Sequence, residues 1–123
     1  MRRWLAVAAV NGFLAVAAGA FAAHGLSGRL DAHALGLFET AARYHMYHAL
    51  AIGLAAFAIR DAAAGAATVA SAFFLSGILL FSGSLYLLAL TGMKGFAFVT
   101  PFGGVCFLIG WGALTLAATR LKV

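Results

Sequence analysis

The chain has 123 residues, 65% of them hydrophobic and 9% charged, with a net charge of +5. Soluble globular domains carry about 25% charged residues, so an ordinary water-facing surface is excluded. The basic residues stand singly at the ends of apolar runs and form no stripe, which excludes a nucleic-acid footprint.

The first apolar run, from Trp4 to Ala23, poses a choice. Arg2 and Arg3 before it and Ala20-Phe21-Ala22 within it resemble a cleavable export signal. The run is longer than the roughly 7 to 15 residues of a signal core and reaches the roughly 20 that cross a bilayer. A retained span over about 4–23 is therefore expected. Ala8, Gly12, Ala15 and Gly19 recur at steps of three and four, which places them on one helix stripe.

The connection after span one is the longest segment with polar residues. Asp31 is placed as a helix N-cap, with Leu30 and Leu35 as the two halves of a hydrophobic staple. A short amphipathic interfacial helix is expected over about 31–43, leading into a second span over about 44–59 that carries its own small stripe, Ala49, Gly53 and Ala56. Arg60-Asp61 to Gly65 reads as a tight turn, and a third span is expected over about 66–90, with Gly83 on its packing face. Gly92 to Thr100 forms a loop, and Pro101 suits the first turn of a fourth span over about 101–119, with Gly103 and Gly110 on its stripe. The expected fold is all-α: one membrane domain, 1–123, folded as a four-helix bundle.

Arg2, Arg3, Arg60, Arg120 and Lys122 fall on one side of that arrangement and Arg29, Arg43 and Lys94 on the other. Five against three places both termini in the cytoplasm and the protein in a cell inner membrane. The expected partners are the lipid bilayer and, through the small-residue stripes, a homo-oligomer or other membrane proteins. The single cysteine, Cys106, forms no intrachain disulfide.

Polar groups concentrate in the outer half of the bundle. His24, Tyr44, His48, Ser82, Ser84, Tyr86 and Thr100 all lie there, and in lipid such groups must find partners inside the protein. This cluster is the candidate ligand-binding site. His45 and His48 share a helix face at a spacing that can present two imidazoles to one metal or one to a haem iron. The alternative is that these histidines hydrogen-bond neighbouring hydroxyls and carbonyls. Asp31, Glu39 and Asp61 are the only carboxylates and form no acid–base pair, and no nucleophile motif is present, so no catalytic residue is expected.

The strings GAFAAHGL, YHALAIGLAAF, LFSGSLYLLALTG and FVTPFGGVCFLIGWGAL together resemble the YgdD-like family of small four-span membrane proteins of unknown function. That family is similar to a small mitochondrial transmembrane protein of animals. The resemblance covers nearly the whole chain and implies a retained first span. It implies Gly19, His24, Tyr44, His48, Ser82, Gly83, Ser84, Tyr86, Thr100, Pro101, Gly103, Gly104, Gly110 and Trp111 as characteristic positions. Glutamine is usual where this chain has His45, which leaves His24 and His48 as the candidate metal pair. The resemblance supplies no activity and no cofactor. The functional expectation is a non-enzymatic accessory or scaffold protein; the alternative is a site for a metal, haem or small lipid-like ligand in the outer cluster.

Overall fold

A computed structural model describes residues 1–122, and every regular element among them is helical. Helix α1, Arg2–Phe21, is an alanine-rich run without proline, and a π-helical turn, Ala22–Leu26, continues it. The ring of Phe21 folds back over that turn, where a Cβ on Gly25 would lie 2.6 Å from its Cδ2 atom, so a larger residue there would require the Phe21 ring to move.

Helix α2, Ala32–Phe57, starts where the Asp31 carboxylate accepts from the Ala34 backbone N–H at 2.7 Å, the N-cap the sequence expects. Leu30 and Leu35, the pair expected as a staple, both pack on the cluster formed by Ala22, Leu26, Phe38 and Ala89. The segment expected as an interfacial helix is not a separate element. It is the first half of α2, which runs unbroken into the expected second span.

A short 3-10 turn, Asp61–Ala63, leads into α3, Ala64–Gly77. A second π-helical turn, Ile78–Ser82, joins α3 to α4, Gly83–Thr91, which stops at left-handed Gly92 (φ 68°). After a 3-10 segment, Lys94–Phe98, helix α5 runs from Thr100 to Arg120 with Pro101 in its first turn.

Three stretches are long and apolar enough to cross a membrane: Arg2–Leu26, Asp61–Thr91 and Lys94–Arg120, with mean hydropathies of 2.0, 2.0 and 1.7. Helix α2 is not among them, because Arg43, Tyr44, His45, Tyr47 and His48 lower its apolar character. It is nonetheless the central helix. Ten of its residues are buried, against one in α1 and four in α5.

The core forms three clusters: Ala22, Leu26, Phe38 and Ala89; then Ala51, Ile52, Ala55, Ala70, Phe74, Ile78 and Phe107; then Ala58, Ala63, Ala66, Ala67 and Ala117. So much alanine means that backbones approach closely and dispersion holds the helices, since lipid removes the hydrophobic force between them. Helices α3 and α5 interlock by reciprocal glycine–phenylalanine contacts. A Cβ on Gly77 would reach 2.5 Å from the Phe107 ring, and one on Gly110 would reach 2.6 Å from the Phe74 ring. Gly103 lies directly against the Phe81 backbone in the second π turn, where an added Cβ would be 2.7 Å from Phe81 Cα.

Candidate functional site

The expected outer cluster resolves into separate hydrogen-bonded groups, all centred on α2 or on the start of α5. In the first, Asn11 of α1 donates through Nδ2 to the Val7 carbonyl at 2.9 Å, which turns its Oδ1 toward His45. His45 Nε2 lies 3.0 Å from that oxygen, and His45 Nδ1 lies 3.0 Å from the Tyr86 hydroxyl. An amide oxygen only accepts, so Nε2 carries the proton in the neutral ring and Nδ1 accepts from Tyr86. One imidazole thereby ties α1, α2 and α4 together.

The second group surrounds His48. Its Nδ1 donates to the Tyr44 carbonyl at 2.7 Å, and its Nε2 accepts from the Trp111 indole N–H at 3.2 Å. The imidazole stacks on Phe107 with ring centres 3.4 Å apart and planes 6° from parallel. The protonated nitrogen is therefore opposite in the two rings: Nε2 in His45 and Nδ1 in His48.

In the third group Ser82, in the π turn, donates to the Ala41 carbonyl of α2 at 2.8 Å. Ser84 donates to Phe81 O at 3.0 Å and also bonds to the Thr100 hydroxyl, joining α4 to the start of α5. A π turn supplies what these contacts need: an extra residue per turn shifts the helix face by which Ser82 and Phe81 meet α2 and α5.

His24 stands apart. It is exposed on the first π turn and outside the hydrogen-bonded groups, whereas His48 is buried with both nitrogens engaged, so the structure does not join the pair suggested for metal. No group of three or more His, Cys, Asp or Glu side chains among the described residues could hold a metal ion. No buried side-chain nitrogen or oxygen among them is left without a partner.

The packing glycines divide in the same way. Gly103 and Gly110 face close neighbours; Gly53 and Gly83 have only ordinary contacts, at 3.8 and 3.9 Å; Gly12 and Gly19 face open space. Gly12 and Gly53 line an open groove of about 580 Å³ between α1 and α2, together with Ala8 and Ala49.

The sequence shows no pairing of Asn11 with His45 or of Trp111 with His48, the bonds that complete the first two groups. Asn11 was the available signal, since an amide inside an apolar helix must be met by another helix. Phe81 and Phe107 carry no polar group to mark them in the sequence. With Tyr44, Tyr47, His48 and Trp111 they line a cleft of about 360 Å³. Its ring pairs include Tyr44–Tyr47, edge-to-face at 5.6 Å, and Tyr44–Phe81, tilted by 39° at 4.9 Å.

An all-helical chain with three bilayer-length apolar helices and a core joined by cross-helix hydrogen bonds defines a helical membrane protein. The family described as "Protein of unknown function (DUF423)" matches residues 18–104. The chain is 41% identical over 121 residues to the UPF0382 membrane protein YwdK of Bacillus subtilis (strain 168), covering 98% of each chain. It is 45% identical over 121 residues to the UPF0382 inner membrane protein YgdD of Escherichia coli (strain K12), covering 98% of this chain and 92% of that protein. A UPF0382 membrane protein of Haemophilus influenzae is 44% identical over 121 residues, with 98% and 96% covered. The chain belongs to this DUF423/UPF0382 membrane protein family, the family its sequence resembles. No solved structure matches it.

Proposed function

We propose that this protein is a four-span inner-membrane protein with both termini in the cytoplasm, acting without catalysis as an accessory or scaffold for other membrane proteins or for further copies of itself. Helix α2 is the fourth span in this reading. Its 26 residues extend about 39 Å at 1.5 Å per residue, enough for the roughly 30 Å hydrocarbon layer. Its two central histidines turn inward and are bonded there, which is how polar groups are carried across lipid. The five basic residues at the end shared by the termini support the orientation.

The observation that carries the functional reading is a contrast. The buried polar groups are engaged in holding this bundle together, while the glycine-lined groove between α1 and α2 opens toward lipid. Small residues on a lipid-facing surface permit another helix to approach to backbone distance. Leu50 and Leu54, 63% and 60% exposed, stand at the rim of the groove as side chains such a helix would meet.

A photo-crosslinking residue at position 12, activated in native membranes, tests this. Adducts with a second copy or with another membrane protein are expected, and adducts with lipid alone would overturn the reading. Labelling of a cysteine introduced between Leu26 and Asp31 tests the orientation. Reaction from outside is expected, and reaction only from the cytoplasm would reverse it.

A further inference from the structure

We propose that the aromatic cleft between α2, the second π turn and α5 binds a lipid-soluble quinone-class ring that enters from the bilayer. The site goes beyond the scaffold reading, because it lies on a different face and takes a small molecule.

Three observations carry it. The first is the character of the walls. Tyr44, Tyr47, Phe81 and Trp111 present electron-rich rings around about 360 Å³, and Gly104 leaves backbone exposed at one edge. Such rings attract an electron-poor planar partner in offset or edge-to-face geometry. Tyr44, Tyr47 and Trp111 are 37%, 51% and 43% exposed, so the cleft opens sideways.

The second is depth. At about 1.5 Å per residue, Gly104 lies about 6 Å and Trp111 about 16 Å along α5 from its start at Thr100. The opening therefore faces hydrocarbon and admits ligands dissolved in the membrane; a charged headgroup at that depth would be expensive.

The third is the hydroxyls. Lipid-facing Thr68, Ser76 and Thr115 each donate to a carbonyl four residues back on their own helix. A tyrosine hydroxyl stands too far from its backbone to do so, and those of Tyr44 and Tyr47 take part in none of the hydrogen bonds among the described residues. Two phenol donors at the mouth of an aromatic cleft match a ring that carries carbonyl acceptors. An acyl chain would leave both donors unused. A haem would need an axial nitrogen, and His48 has both of its nitrogens bonded.

The two tryptophans provide the test. Trp111 forms a wall of the cleft, and Trp4 packs on the central core cluster at the far end of α1. In Trp4→Phe only Trp111 emits, and in Trp111→Phe only Trp4 does. Decylubiquinone is titrated into each, reconstituted in nanodiscs. The expected result is saturable quenching of Trp111, with only weak linear quenching of Trp4.

In the Trp4→Phe background, the Tyr44→Phe/Tyr47→Phe pair should raise the half-saturating concentration about fivefold or more, as expected for two lost neutral hydrogen bonds. Removing hydroxyls that bond nothing within the bundle leaves the fold intact, and an unchanged melting temperature checks this. Linear quenching at Trp111, saturation that ignores the tyrosine pair, or equal displacement by decanol would each overturn the proposal. The last result would mark the cleft as a groove for acyl chains.

Discussion

Replacing Gly103 with alanine puts the packing account under the greatest strain. The added Cβ would sit 2.7 Å from both Cα and Cβ of Phe81, inside a π turn that the Ser82–Ala41 bond fastens to α2. Backbone on both sides leaves no flexible side chain to yield. The start of α5 must move outward by roughly 1 Å to restore van der Waals contact, and a strain of about 1–3 kcal/mol is usual for such overpacking. Alanine returns about 0.5–1 kcal/mol through its better helix propensity, and because the clash is with backbone the upper part of the strain range applies, for a net loss of about 1–2.5 kcal/mol.

The Ser84–Thr100 bond spans the same junction, so it weakens with the shift. Gly112 is the control, because nothing lies within 4 Å of a Cβ built there, and Gly112→Ala should be neutral or slightly stabilising. Melting in mild detergent, followed by tryptophan fluorescence, should show Gly103→Ala lower by roughly 3–10 °C and Gly112→Ala unchanged or higher. Equal melting of the two variants would refute the claim that α5 rests on the π-turn backbone.

Other outcomes follow from the same contacts. His45→Gln should keep most of the stability, since a side-chain amide can donate to Asn11 and accept from Tyr86, whereas His45→Ala should cost about 1–3 kcal/mol by stranding both, read as a lower melting temperature. Trp111→Phe should cost about 1–3 kcal/mol, because the buried His48 Nε2 loses its donor, and an unaltered melting temperature would deny that bond any weight. Protein purified in mild detergent without a polyhistidine tag should be colourless and carry only substoichiometric metal; a Soret band, or equimolar metal lost in both His24→Ala and His48→Ala, would restore the cofactor reading.

Much of the framework was legible because it depends on local chemistry. Asp31 has the side chain that a helix start wants, Pro101 lacks the N–H that a first turn leaves unused, and Gly92 tolerates the left-handed stop. The long apolar runs marked a membrane protein by length alone. The polar cluster was legible as a region but not as a set of bonds. Ser84 with Thr100, and Tyr86 with His45, depend on how helices far apart in the chain rotate against one another, and spacing within one helix carries no record of that.

His45 shows the limit most clearly. The resemblance implies glutamine at this position, which made His45 look unsuited to ligating metal, yet glutamine and neutral histidine each offer a donor and an acceptor. Either side chain can form the cross-helix bridge from Asn11 to Tyr86. The stripes were equally ambiguous, since Gly12 and Gly110 follow the same spacing while one faces open space and the other the Phe74 ring. The π turns had no pattern of their own in the sequence.

Both buried histidines are committed to hydrogen bonds between and within helices, and nitrogen-15 NMR of histidine-labelled protein in lipid reads that commitment at each ring nitrogen. His48 is expected as the Nδ1–H tautomer and His45 as the Nε2–H tautomer, each with its second nitrogen showing the shift of a hydrogen-bond acceptor. Identical tautomers, a nitrogen shifted as by a bound metal, or signals that exchange freely with the charged form would contradict the account.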